Sequence, residues 1–377
     1  MKEIFMEHIR RYPKMQVTDA VKLLYQSEFG GGHMIANPVR SLNWIKEEWK
    51  QMQVKSESSA ATAGMAEEKA RSVCEEIGGG LCRISLQALG EGLAPETLNG
   101  MFVKTADRAV GSVEGFERKL EMLNQCCKEG LTPFGMEELE QYLKDYRAKG
   151  YPPVSHSEQY RVAYGPSYRV VSMSFARYYQ VFLKIDRAMA EEERSTVTNA
   201  DSKCVDATRQ KQVVVAIDGM CGSGKSTLGR ILQEIYDCNL FHMDDFFLRP
   251  EQRTPERLAE PGGNVDYERF KEEILDCMAD REGFSYQIYN CGKQVLDGVV
   301  KVPFKKLNII EGAYSHHPYF GEPYHLKFFC KISGEEQVSR IMKRNGPEML
   351  DRFKQIWIPM ENRYFETFGI EEKSIII

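Results

Sequence analysis

The chain is 377 residues long, 42% hydrophobic and 28% charged, with a formal net charge of −5. That length exceeds the ~250–300 residues over which one core can grow, so two domains are expected. The acidic balance gives no global footprint for nucleic acid, and no run reaches the ~18 apolar residues of a membrane span.

The ten cysteines include no Cys-x-x-Cys pair. The adjacent Cys126 and Cys127 suit neither a zinc site nor an ordinary disulfide, so they read as reduced thiols of a cytoplasmic protein. The opening MKEIFMEHIRRYPK is charged throughout and has no apolar run of signal-peptide length. VTDAVKLLYQSEF (17–29) has helical spacing, with Thr18 or Asp19 as N-cap. SLNWIKEEWKQM, EGFERKLEMLNQCC and MEELEQYLKDYRAKG repeat apolar residues every three or four positions, the last ending on a C′ glycine, Gly150. KSESSAATAGMAEEKA (55–70) reads as a loop. Residues 1–195 are therefore expected to form a mainly α-helical domain.

Two stretches of that half stand apart. YQSEFGGGHMI sets three glycines before His33, and SHSEQYRVAYGPSYRVV gathers His156, Arg161, Arg169 and three tyrosines. A helix end and a structural contact account for them most simply. A second active site near His33 and His156 is the alternative.

AEEERSTVTNADSKCVDATRQKQ is polar and aperiodic, which is linker composition; the linker is placed at 196–211. Beyond it, VVVAI (213–217), LFHM (240–243), LNII (307–310) and LKFFCKI (326–332) alternate with helical patterns at KSTLGRILQEIY, YERFKEEILDCM and EEQVSRIMKRNG. Such alternation implies a parallel sheet with helices on both faces over 212–377.

AIDGMCGSGKST meets the pattern G-x-x-x-x-G-K-[ST] between a strand and a helix. Gly219, Gly222, Ser223 and Gly224 let successive N–H groups turn inward, and the helix N-terminus behind them completes an anion nest. Lys225 is expected at the β- and γ-phosphates, the Ser226 hydroxyl on Mg²⁺ and Thr227 at the α-phosphate. Cys221, inside the loop, is expected to be open to oxidation or alkylation. FHMDDFFLRPE follows one helix and one return strand later, which puts Asp244 and Asp245 at the carboxyl end of a strand, where open α/β sheets bind ligands. A carboxylate facing the γ-phosphate can accept the proton of an attacking hydroxyl. Glu311 closes LNIIEG, where a carboxylate suits Mg²⁺. His316 and His317 are expected at the pocket rim. Arg340 and Arg344 lie i, i+4 on one helix face.

Taken in order, these motifs resemble the uridine kinases and nicotinamide riboside kinases of the phosphoribulokinase/uridine kinase group, over residues 210–377 only. The resemblance implies an α/β P-loop kinase domain using ATP and Mg²⁺. It implies Asp244 as catalytic base, Glu311 as an aid to Mg²⁺, and a lid whose Arg340 and Arg344 close over the phosphates. The family's substrate-holding Asp falls on Asp266 in GGNVDYERF, but Tyr267 and Glu268 replace the His-Pro that follows it there. Asp245, Asp266 and Tyr267 are thus expected around the acceptor, a nucleoside or other ribosyl or sugar-like alcohol. Arg363 is a further candidate phosphate contact. Three alternatives stay open: a nucleotide-hydrolysing switch that moves the first half, a bifunctional enzyme, and a degenerate kinase that only binds nucleotide. No nucleic-acid or membrane partner is expected, and a homo-oligomer is left open.

Overall fold

The structure, a computed structural model, describes residues 1–35, 37–60, 72–108, 110–199 and 212–377. The chain folds as two compact units, Met1–Leu183 and Lys184–Ile377. The division falls inside the helix Tyr179–Asn199. The polar stretch from Ala190, linker-like in composition with the linker itself placed at 196–211, continues that helix as far as Asn199, because its glutamates are good helix formers and a solvated turn needs no apolar face. Residues 200–211 lie outside the described residues, as do residues 61–70 of the expected loop; its first residues extend the helix Pro38–Ala60.

In the first unit the helices Val17–Phe29, Val113–Lys128 and Met136–Ala148 present Leu24, Phe116, Leu120, Leu139 and Leu143 to one core, at the spacings legible in the sequence. The cap of Val17–Phe29 is Gln16 rather than Thr18 or Asp19; Asp19 sits at N3 and accepts from the Gln16 N–H at 3.0 Å. Gly30 ends that helix with φ 67°, so the glycines of GGGH serve as a helix stop. An antiparallel sheet also appears that helical periodicity did not reveal: β1 (Cys74–Gly78), β2 (Leu81–Ser85) and β3 (Tyr168–Ser172), in that order.

Inside this unit His156 is fully occupied. Its Nδ1 lies 2.8 Å from Asp19 Oδ1 and its Nε2 2.7 Å from the Tyr168 hydroxyl, while its ring stacks on Tyr160 at 4.3 Å. Asp19 also accepts from the Ser157 amide and hydroxyl. A neutral ring donating from Nδ1 to the carboxylate and accepting from tyrosine satisfies every member. His33 packs edge-on against Tyr25.

Burial pushes the His156 imidazole down to about 4 from an ordinary 6.5. The unfolded chain then binds a proton that the folded chain refuses. This contribution to stability is complete above pH 6.5 and is lost as pH falls toward 4, by ~3 kcal/mol over the window. Urea titrations at pH 7.5 and 4.5 are expected to show a larger loss for the wild type than for His156→Gln. An equal loss in both would exclude this origin.

The second unit is built on a five-stranded parallel sheet. β4 (Val213–Gly219), β5 (Cys238–His242), β8 (Leu307–Glu311), β9 (Leu326–Cys330) and β10 (Ile375–Ile376) take the order β10-β9-β4-β8-β5. A hairpin of β6 (Phe284–Asn290) and β7 (Val295–Val302) stands outside that sheet. β4 and β8 are buried along their whole length, which explains their unbroken apolar runs. Val214, Ile310 and Phe329 pack in one core with Tyr364 and Phe365 of the helix Ile358–Phe368. The helix Lys225–Ile235 lies on β4, β5 and β8 and buries Leu228 and Leu232. The architecture expected for 212–377, a parallel sheet with a phosphate loop and flanking helices, is the one observed. YERFKEEILDCM departs from the single helix expected there: an α-turn, Tyr267–Phe270, passes into a π-helical turn, Lys271–Leu275.

Candidate active site

The order of connection reverses beside β4, for β4 leads to β5 on one side of it while β8 leads to β9 on the other; such a switch point opens a crevice at the carboxyl ends of the strands. Register completes the arrangement. Glu311 pairs with Ile217 on one side and with His242 on the other, so β4, β8 and β5 end level. The phosphate loop, Glu311 and Asp244 thereby face one cavity of about 900 Å³.

The loop leaves β4 at Gly219, φ 134°, where a Cβ would stand 2.3 Å from the Cys330 carbonyl; only glycine fits there. Gly222, Gly224, Lys225, Ser226 and Thr227 line the cavity; Gly219 and Ser223 are not among its described lining residues. Lys225 is buried and donates from Nζ to the carbonyls of Gly219 and Met220 at 2.6 and 3.0 Å. Ser226 Oγ donates to Glu311 Oε2 at 3.0 Å, and Glu311 Oε1 lies 2.5 Å from His242 Nδ1. The Glu311 hydrogen bond, above all, raises the His242 imidazole. A hydroxyl beside a carboxylate is a pair of hard oxygens, a donor set that fits Mg²⁺.

Asp244 opens onto the cavity. Crowding by the cavity walls raises its carboxyl, and Glu311 adds to the rise. From the helix Gly334–Asn345, Arg340 and Arg344 both reach the cavity. Arg340 Nη1 donates to the carbonyls of Gly222 and Ser223 at 3.2 and 3.0 Å.

Other expected residues are turned elsewhere. Asp245 accepts from the Tyr286 hydroxyl at 3.2 Å. Asp266 is 2% exposed; it caps the turn at the Arg269 N–H and accepts from Gln252. Tyr267 lies between His317, stacked at 4.3 Å, and the Arg257 guanidinium, 3.7 Å from its ring centroid. None of the three is among the described lining residues. His316 and His317 are buried rather than at a rim, because Asp218 draws the backbone of their loop inward. Arg363 donates to the Ala259 carbonyl.

Sequence reasoning passed over four residues here: Asp218, His242, Arg253 and Glu361. Asp218 ends an apolar strand, and that acid in an unbroken apolar run was the available signal. Glu361 arrives from a distant helix and accepts from the Cys221 N–H at 2.8 Å; nothing local in the sequence marks it.

Cys221 departs from expectation. It is buried, accepts from Gln337, and burial pushes its thiol up to about 12, so almost none is thiolate at neutral pH. In the native protein at pH 7.5, iodoacetamide is expected to label the exposed Cys291 well before Cys221, read by peptide mass spectrometry. Equal labelling would contradict the burial argument.

No family model matches the chain. A curated protein, the bifunctional shikimate kinase/3-dehydroquinate synthase of Thermotoga maritima, is 40% identical over 161 residues, covering 42% of this chain and 28% of its own length; the chain thus spans under a third of that relative. Among solved structures, a possible uridine kinase from Bacillus stearothermophilus is similar at 16% identity and a TM-score of 0.35, covering 49% of this chain and 96% of its own. A D-glycerate 3-kinase from Cryptococcus neoformans is similar at 14% identity and a TM-score of 0.32, covering 46% and 84%. No described helix is long and apolar enough to cross a membrane.

Proposed function

We propose that the unit Lys184–Ile377 is a kinase that transfers the γ-phosphoryl group of ATP, with Mg²⁺, to a hydroxyl of a small molecule. The observation that carries this reading is one cavity lined by both a phosphate loop and the Asp244 carboxylate, which has no hydrogen-bond or ion-pair partner among the described residues. Its volume lies near the upper end of the ~300–1,000 Å³ usual for ligand sites, which suits a nucleotide and an acceptor together.

Each role follows from position. The loop amides and the helix N-terminus hold the phosphates. Lys225 leaves its carbonyl partners for the phosphoryl oxygens, and Arg340 and Arg344 close over the charge that develops. Ser226 and Glu311 would hold Mg²⁺, which when bound neutralises phosphate charge, and His242 steadies Glu311. Asp244 takes the proton of the attacking hydroxyl. The best acceptor class on this reading is a sugar-like alcohol.

The test is ADP release from ATP and Mg²⁺ with and without a panel of alcohols. Release that rises severalfold with one acceptor class supports a kinase. Release indifferent to every acceptor would replace it with a nucleotide-hydrolysing switch.

A further inference from the structure

Arg344 reaches the cavity from the helix Gly334–Asn345, where its Nε donates to Asn345 Oδ1; the cavity's other cations fall into two groups by what anchors them. Lys225, Arg340 and Arg230 are held on the phosphate loop and its helix: Lys225 and Arg340 on the loop carbonyls, Arg230 on the Ser226 carbonyl. Arg253 is held elsewhere. Its Nε donates to the Leu248 carbonyl at 3.0 Å, in the segment that follows Asp244, and its Nη2 to the Tyr289 hydroxyl at 2.9 Å, on β6. The two anchors fix the guanidinium from two sides. They leave Nη1 free of any partner among the described residues.

No carboxylate neutralises this charge: Arg253 makes no ion pair among the described residues. Asp244 is not its counter-ion, since no ion pair joins the two among the described residues. Yet Arg253 and Asp244 border the same cavity, as does Cys291 at the hairpin turn. The surrounding wall is apolar, with Phe247, Leu248 and Val265. An unpaired guanidinium beside an apolar wall favours an anion far more than a neutral group, and its planar fork matches a carboxylate or phosphate.

We infer that the acceptor alcohol carries an anionic group, a carboxylate or a phosphate monoester, which pairs with Arg253 while its hydroxyl reaches Asp244. This rests on the kinase reading of the same cavity. Arg253 is solvent-exposed, so a neutral nucleoside or polyol would leave it hydrated, gain no charge-assisted contact from it and bind more weakly. Specificity for charge is thus set by Arg253, at the mouth of the hairpin, and the phosphates of ATP are left to the cations of the loop and lid.

The experiment has two readouts on the full chain: calorimetric binding to protein saturated with Mg²⁺ and a non-hydrolysable ATP analogue, and ADP release with Mg-ATP. Three acceptor panels are compared: nucleosides and neutral polyols, hydroxycarboxylic acids, and sugar phosphates. The expected result is that binding is confined to one anionic panel, which also identifies the anion. Arg253→Ala weakens that binding at least tenfold, while Arg253→Lys, which keeps the charge but loses the fork, falls between. A melting temperature for Arg253→Ala close to wild type separates lost recognition from lost folding. Binding by neutral alcohols alone, by no panel, or with an affinity unaffected by Arg253→Ala overturns the inference. Anion binding that depends on Arg253 without acceptor-dependent ADP release upholds it and instead overturns the kinase reading.

Discussion

Asp244→Asn is expected to lower kcat by ~10³-fold, within the range usual for a lost general base, and to leave nucleotide affinity nearly unchanged. The substitution preserves size and shape but removes the capacity to take a proton. It should also spare the fold, because Asp244 accepts no hydrogen bond among the described residues and opens onto the cavity. Steady-state ADP release with an active acceptor, paired with a nucleotide-binding titration, separates the two effects. A parallel loss of binding and turnover would instead make Asp244 a nucleotide ligand. The pH profile gives a second check. Crowding and Glu311 raise the Asp244 carboxyl above its ordinary 3.8. A base works only when ionised, so kcat/KM should fall on the acid side through an apparent pKa above that value. An acid limb at or below 3.8 would remove Asp244 from the role.

Asp218→Ala is expected to be the most damaging single change to the second unit. Asp218 is fully buried at the end of β4. Its Oδ1 accepts from the N–H groups of Gly219 at 2.7 Å and Tyr314 at 3.2 Å; its Oδ2 accepts from the N–H of His316 at 3.1 Å and the hydroxyl of Tyr364 at 3.0 Å. One carboxylate therefore ties together the start of the phosphate loop, the loop after Glu311 and the C-terminal helix. Alanine leaves four buried donors without an acceptor, at ~1–3 kcal/mol each before relaxation. Losses of ~4 kcal/mol in all are typical when a buried charge network is broken. For a domain of this size that corresponds to ~10 °C in Tm. Asp218→Asn should recover little, because the amide turns an NH₂ group toward the donors that Oδ2 served. Thermal unfolding of both variants checks this; a shift of under 2 °C in each would show that water or loop movement replaces the carboxylate.

The two substitutions separate what was legible from what was not. Asp244 announced itself by type and position, an acid one helix and one strand after a phosphate loop. Asp218 stood beside the same motif and passed unread, since its partners come from residues 314, 316 and 364 and no local pattern connects them. Asp266 and Tyr267 show the reverse case. A family pattern put them at the acceptor, and the fold turned one into a helix cap and stacked the other between Arg257 and His317. Arg253 resembled any arginine of a polar loop until Tyr289, on a hairpin over thirty residues away, fixed its guanidinium at the cavity.

By itself the sequence determined the helices of the first half, the alternation of strand and helix in the second, and the phosphate loop, because periodicity, β-branched runs and glycines act over a few residues. It also determined the order in which Lys225, Asp244, Glu311 and Arg340 appear. The tertiary structure alone decided which of the remaining polar groups meet: the level ends of β4, β8 and β5, the burial of His156 on Asp19, the capture of Cys221 by Glu361 and Gln337, and the anchoring of Arg253 on Leu248 and Tyr289. Those outcomes depend on strand order and register. Strand order and register are chosen by how whole faces bury against one another, so no short stretch of the chain contains them.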